Sequence, residues 1–357
     1  MSIFAKVNLN SLRNRYDLLS KHAGSTSIIP VIKNNSNGLG FEEMFNLFSS
    51  KENVKRIATS YASEMLRVKS NGVKKLSWIW EVDNYKKEYE AVAPEYRENI
   101  ELCCKDYGQV RFCLENDITP HIVFNLGMNR GGFKDCDLKN LKDIINTECI
   151  YVTAHCPYGP EMGHKIKEYL DNFWKLVEKM NDMGFWVVGT HNSNSAVYKY
   201  CVENNCQELM GDYARVGEFL LLPQQDNALF GSYEPIRVTT NISYIMKLKK
   251  GENIGYNHMI LDSDRVVALI PCGYYNFHNL EYVGIKAPFD KYFCKVLAGM
   301  HDTTIIDITH IYDSGETIHN GWEVEIMSKD MMTYNWDRCI QKTYKFNPDM
   351  VIYEYQS

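Results

Sequence analysis

In the stretch IIPVIKNNSNGLG, residues 28–40, an apolar run ends on Lys33 and gives way to polar residues and two glycines. A lysine at a strand end is ordinarily solvated. Where it points into a shared pocket instead, partial desolvation lowers its pKa and the free amine serves as nucleophile or base. The glycines allow tight turns and close approach of backbone to an anion. Further along, Arg130 sits in LGMNRGGF, His155 closes CIYVTAH, His191 and Ser195 lie in THNSNSAV, and Arg215 lies in YARVGEFL. The hydroxyl of Ser195 would open a helix, where an anion is naturally bound.

These side chains need elements that bring them to one place. From residue 28 to about 215, short β-branched runs alternate with longer amphipathic ones, the pattern of a parallel sheet with helical crossovers. The strand candidates are 28–32, 56–60, 75–80, 99–104, 121–126, 149–155, 185–191 and 207–212. Between them, segments such as FEEMFNLFSS, ASEMLRVKSNG and HKIKEYLDNFWKLVEKMNDMG repeat apolar residues at helical spacing. Eight such units in roughly 200 residues predict a (β/α)8 TIM barrel, whose chemistry collects at the C-terminal strand ends. Lys33, Asn125, Arg130, His155, His191, Ser195 and Arg215 all fall at those ends. After about residue 232 the segments RVTTNISYIMKL, RVVALIPCGYY, KYFCKVLAGM and TTIIDITHIY alternate in twos. The expected organisation is a barrel over 1–232, its first few residues packing with the second part, and a C-terminal β domain over 233–357.

Composition narrows the class. With 45% hydrophobic residues and a net charge of −6, the chain can bury a sizeable core and shows no basic footprint for nucleic acid or an anionic membrane. Neither a signal-like N-terminus nor an apolar run long enough to span a bilayer is seen, so a cytoplasmic protein is expected. Its 11 cysteines are odd in number and hold no CxxC pair, which fits reduced thiols better than a disulfide framework or a zinc ribbon.

The quoted stretches also carry a resemblance. VIKNNSNGLG resembles the motif by which alanine racemases and related fold-type III enzymes hold pyridoxal 5'-phosphate (PLP) as a Schiff base, with Lys33 at the lysine. LGMNRGGF resembles the family's arginine loop, VTAHCPYG its histidine strand, THNSNSAV its Asn-Ser phosphate segment and YARVGEFL its Arg-x-Gly segment. In the β domain, NIGYNHMI resembles the stretch with a second catalytic tyrosine, LIPCGYYNF a Gly-Tyr motif and AGMHDTTIIDIT a Met-Asp segment. Order and gaps match over nearly the whole chain.

The resemblance implies a homodimer with shared active sites. Lys33 would act on one face of the substrate Cα and Tyr256 of the partner subunit on the other. His155 would support that tyrosine and connect onward to Arg215, which would donate to the pyridine nitrogen. Asn37, Asn194, Ser195 and the backbone at Gly217 would serve the cofactor, with Tyr334 closing the pocket. Arg130, Tyr274, Met300 and Asp302 would face the substrate, a small amino acid such as alanine. The chain also departs from the family pattern. Asn37 replaces a phosphate-binding tyrosine, and Val123 replaces a lysine that is often carbamylated. Tyr274 is followed by Tyr275 and Asn276 with no aspartate, His301 separates Met300 from Asp302, and Glu218 follows Gly217.

Plainer roles exist for several of these residues. His155 could be a core histidine, Arg215 could pair with Asp212, Arg130 with Asp135, and Tyr256 could simply pack. Other functions compete as well: a PLP-dependent decarboxylase or specialised epimerase, a PLP carrier without turnover, or a metal-dependent hydrolase using His155 and His191. Retention of Tyr256 favours racemisation over decarboxylation. No carboxylate at another strand end completes a metal site.

Overall fold

Strands that lie inside a parallel barrel are covered on both faces, and the apolar runs of the first part of the chain are buried accordingly. The computed structural model describes residues 3–222, 231, 233–256, 259–276, 280–287, 290–328, 331 and 350–354. It divides into two units, one of Arg13–Ser36 and Gly40–Leu220, the other of Met1–Leu12, Asn37–Leu39 and Leu221–Ser357.

Strand β1 (Phe4–Asn8) belongs to the second unit. The first unit holds β2 (Ser27–Pro30), β3 (Arg56–Tyr61), β4 (Lys74–Ile79), β5 (Ile100–Cys104), β6 (Pro120–Phe124), β7 (Cys149–Ala154), β8 (Trp186–His191) and β9 (Tyr213–Val216). Strands β3 to β8 form one parallel sheet in chain order, and β2 pairs with β9, Ile29 opposite Arg215. Parallel bridges Val31 to Ala58 and Ser193 to Ala214 join the two sheets, with Ile32 N donating to Ala58 O at 2.8 Å and Arg215 N to Ser193 O at 2.9 Å. The ring is closed, and the unit is a (β/α)8 barrel. Ile29, Ala58, Leu76, Cys103 and Val123, one from each of five successive strands, pack as a cluster inside it. The long crossover helix Gly163–Asp182 buries Ile166, Leu170, Phe173 and Val177, a face with the expected three- and four-residue steps.

Two elements differ from expectation. The eighth strand is Tyr213–Val216, whereas Gln207–Met210 is a 3-10 turn. Gly211, at φ 80°, bends the chain, and the Asp212 carboxylate takes the N–H and hydroxyl of Thr190, so ladder pairing starts only at 213. Arg215 is therefore on the last strand and points from it, rather than following it. In ASEMLRVKSNG only Ala62–Met65 is helical.

The second unit contains β10 (Ile236–Asn241), β11 (Tyr244–Leu248), β12 (Asn253–Ile254), β13 (Met259–Ile260), β14 (Arg265–Ile270), β15 (Tyr282–Lys286), β16 (Lys291–Gly299), β17 (Thr304–Asp307), β18 (Glu323–Met327) and β19 (Met350–Glu354). Nine strands form one sheet in the order β11-β14-β17-β16-β15-β18-β10-β1-β19, with β1 antiparallel to β10 and parallel to β19. Strands β12 and β13 form a hairpin whose Ile254 packs with Leu261, Val267 and Ile305. Among the described residues no helix is long and apolar enough to cross a membrane.

Candidate active site

After β2 the chain makes a left-handed turn. Asn34, Asn35, Ser36 and Asn37 all have φ between 53° and 56°. L-residues resist this conformation by about 1–2 kcal/mol each, and asparagine resists it least because its short amide bonds locally. That is why NNSN, and not an apolar or β-branched run, follows the lysine. Asn35 repays part of the cost by accepting from Phe41 N at 2.8 Å, and Ser36 N donates to Ile32 O at 3.1 Å. Lys33 is thereby held at the rim of the barrel, partly buried. Burial lowers its pKa, the nearby Arg130 lowers it further, and Glu218 opposes them.

His155 follows β7. Burial first, then Arg215, Arg130 and Lys33, push its pKa down to about 3, so the imidazole is neutral. Its Nε2 lies 3.5 Å from Asn194 Nδ2, which also donates to Cys156 O at 3.0 Å. The other end of the Asn194 amide caps helix Ser195–Glu203 by accepting from Val197 N at 3.1 Å. Ser195 thus stands at the N-terminus of a nine-residue helix. Gly217 lies where a Cβ would come within 3.1 Å of Val31 O, so glycine eases the close passage of the chain ends of β2 and β9.

Arg215 is 6% exposed, and none of its bonds to the described residues is to a carboxylate. Its guanidinium donates to Thr153 Oγ1 at 2.9 Å, Ala154 O at 2.8 Å and His191 Nδ1 at 2.6 Å, and also to His191 O. Burial pushes its pKa down to about 10, which leaves it charged at neutral pH. Because arginine only donates, His191 must accept at Nδ1 and carry its proton on Nε2. That nitrogen meets His121 Nδ1 at 2.7 Å, and His121 Nε2 faces the Glu101 carboxylate at 3.3 Å. Glu101 is held in turn by Arg56, at 2.7 and 3.0 Å, and Arg56 is sandwiched between Tyr151 and Tyr213. A continuous buried chain of polar groups therefore runs through the barrel from the start of β3 to Arg215. Both nitrogens of His191 are committed inside it.

The plainer ion pairs are not formed. Asp212 is bonded to Thr190, and Asp135 pairs with Lys179 at 2.6 Å. Sequence reasoning missed Trp78, at the end of β4. Arg215 lies 4.7 Å from its ring, His155 meets its edge at 5.9 Å, and Arg130 and Lys105 lie 6.0 and 5.9 Å from it. The available signal was strand parity: Leu76 and Trp78 are two apart and share the inward face of the barrel.

In the second unit, Gly255, at φ 63°, makes the turn after β12 that presents Tyr256, which is 71% exposed. A Cβ at Gly255 would lie 2.8 Å from that of Ala298. A Cβ at Gly273 would collide with Met300 O, His301 O and Asp302 N. Two turns interlock there, with Tyr274 N donating to Met300 O and Tyr275 N to His301 O, both at 2.9 Å. The His301 ring lies between Tyr274 and Tyr275, at 5.4 Å from each. Tyr274, Met300 and Asp302 are therefore neighbours within this unit. Asn37 groups with this unit too, and its buried amide oxygen has no partner among the described residues. Tyr334 lies outside the described residues.

The barrel residues suit an anionic ring-bearing phosphate ester. Lys33, Arg130 and Arg215 surround His155, and among the described residues none of the three is bonded to a carboxylate. Ser195 opens the helix after β8 and Gly217 follows β9, the neighbouring strand, and a helix start is a place where an anion is naturally bound.

Comparison with known proteins bears on the family and the fold. Residues 7–224 match the family model described as "Alanine racemase, N-terminal domain", and 236–352 match "Alanine racemase, C-terminal domain". An alanine racemase of Borreliella burgdorferi (strain ZS7) is 23% identical, over 91% of this chain and 88% of its own. One of Francisella philomiragia is 26% identical over 75% and 74%. Among solved structures, an alanine racemase from Streptomyces lavendulae superposes with a TM-score of 0.80 at 17% identity, covering 100% of this chain and 98% of that one. The alanine racemase of Clostridium difficile 630 gives 0.80 at 16%, covering 100% and 96%. At such identity the structural likeness speaks for the fold.

Proposed function

Because the chain belongs to the alanine racemase family and is an isomerase of the racemase class, we propose that it interconverts the L and D forms of a small amino acid, alanine by default, using PLP and two bases. The observation that carries this reading is Lys33, an amine of lowered pKa at a barrel rim shared with His155, Arg130 and Arg215. When bound, PLP would supply a sink for the electrons left on Cα once its proton is removed.

The protein's own residues do the rest. Lys33 would hold the cofactor, and its amine would take or return the proton on one face of Cα. Tyr256 of the partner subunit serves the other face, and its exposure on a turn supports a role in a second chain's site. His155, held neutral, can accept a hydrogen bond from that phenol and so help it to act as a base. Arg215 would hold the ring nitrogen by donating to it and, having no proton acceptor of its own, would favour the unprotonated form. Such a contact would weaken the electron sink and favour prompt reprotonation. Ser195, Asn194 and Gly217 hold the phosphate end, with Asn37 and Tyr334 completing the cofactor contacts. Arg130 orients the substrate carboxylate, with Tyr274, Met300 and Asp302 bordering the substrate. The assembly is a homodimer, and the cytoplasm is its proposed location.

The test is to purify the protein, treat it with borohydride, and locate the reduced cofactor on the peptide bearing Lys33. Solvent deuterium incorporation at Cα is then followed for a panel of L- and D-amino acids, with carbon dioxide release separating a decarboxylase. Tyr256→Phe is expected to lower racemisation by about 10²–10⁴ while the borohydride-fixable cofactor remains. Normal racemisation by that variant would refute the two-base assignment.

A further inference from the structure

The barrel mouth holds one cation more than a phosphate, a ring nitrogen and one carboxylate require. Lys105 directly follows β5 and is half-buried, with its Nζ 5.9 Å from the Trp78 ring. Arg130 lies 6.0 Å from the same ring. Neither head group has a hydrogen bond or ion pair to any described residue, and the buried Nε1 of Trp78 likewise has no acceptor among them. Burial lowers the pKa of Lys105, Cys103 opposes it, and the charge of Arg130 lowers it further.

The loop is built around this lysine. Gly131, at φ 83°, passes over the lysine stem so closely that a Cβ there would sit 3.2 Å from Lys105 Cδ. Position in the ring excludes the phosphate as the missing anion. The proposed phosphate cradle lies at the ends of β8 and β9, whereas β5 stands four strands from β9, across the barrel. An amino acid with a neutral side chain would bring one carboxylate, for Arg130, and leave Lys105 uncompensated.

Resting on the racemase reading above, we infer that Lys105, with the indole N–H of Trp78, binds a second acidic group on the substrate, so that the site takes a dicarboxylic amino acid of the aspartate or glutamate type. Lys105 is then a specificity-determining residue that acts in binding and takes no part in proton transfer at Cα.

The experiment compares deuterium exchange at Cα of L-aspartate and L-glutamate with that of their neutral isosteres L-asparagine and L-glutamine, with L-alanine as reference, in wild type and Lys105→Met. In the wild type the acids should exceed the amides in kcat/KM by about tenfold or more, the worth of one charge-assisted hydrogen bond. In Lys105→Met the ratio should fall towards one, and in Lys105→Glu it should invert. Calorimetric titration with glutarate and butyrate gives a readout free of turnover: glutarate binding should weaken about tenfold in Lys105→Met and butyrate binding should not distinguish the two proteins. Alanine exchange without any preference for acids overturns the inference. So does saturable chloride or bicarbonate binding that depends on Lys105 while acid preference is absent, since the ligand is then an inorganic anion. If no amino acid exchanges, the racemase reading fails, and the glutarate titration alone decides the role of Lys105.

Discussion

The imidazole of His155 and the carboxylate of Glu101 make the barrel acid-sensitive in one direction. Burial among cations holds His155 at about 3, below its ordinary 6.5. Between those values the unfolded chain carries a proton that the native state refuses. Stability therefore rises with pH across this window and is lost on acidification. Glu101 adds to the trend lower down: desolvation opposes its ionisation, but His121 and Arg56 outweigh it and hold the carboxyl at about 2, below 4.5, so its contribution fades as pH falls through that range. Denaturant unfolding of the protein without cofactor should lose up to about 1.4 kcal/mol per pH unit from His155 alone as pH drops below 6.5. His155→Gln removes the titrating group and should flatten that limb. An equally steep acid limb in His155→Gln would show that the imidazole is not held neutral at the site. The same low proton affinity matters for chemistry, because an imidazole that stays neutral at pH 7 can accept a hydrogen bond from a phenol, as an imidazolium cannot.

The left-handed turn after β2 decides where the Lys33 amine sits, and it can be tested apart from catalysis. Asn35 contributes both tolerance of positive φ and the bond to Phe41 N. Asn35→Ala loses both and should destabilise the protein by about 1–2 kcal/mol in urea unfolding, whereas Asn35→Gly keeps the backbone freedom and should cost less. Equal losses in the two variants would mean that backbone conformation contributes nothing here. How legible such elements were depended on how local their causes are. Seven barrel strands could be read because each is a contiguous apolar run. The eighth could not, because ELM looks like a strand and is displaced by Gly211 and by the grip of Asp212 on Thr190, a residue over 20 positions earlier. Strands β1 and β19 had no local signal either, since β1 is paired with β10 and β19, both far along the chain. The same distinction holds at the site. Lys33, His155, Asn194 and Arg215 sit in short contiguous motifs and could be named. Trp78, Lys105, Glu101 and His121 acquire meaning only from which strand face they occupy and what lies across the barrel.

At the scale of the whole molecule, the two groups assigned to the faces of Cα belong to different units, Lys33 to the barrel and Tyr256 to the β unit. In the same unit as Tyr256, Met259, Ile260, Tyr274 and Tyr275 are also open to solvent. In the proposed homodimer a second copy of the chain would cover such residues. If the partner supplies the phenol, each active site draws its lysine from one chain and its tyrosine from the other, and a two-fold dimer holds two such sites. Subunit complementation then gives a sharp outcome. Lys33→Ala and Tyr256→Phe are each expected to be inactive as homodimers. In a mixed dimer one site carries both defects and the other carries neither. Unfolding and refolding an equal mixture should therefore restore about a quarter of wild-type racemase activity, because half the dimers are mixed and each has one intact site of two. If both groups came from the same chain, every site in the mixture would carry one defect and no activity would return, whatever the oligomeric state. Measured recovery after refolding thus separates a site shared between subunits from one completed within a single chain.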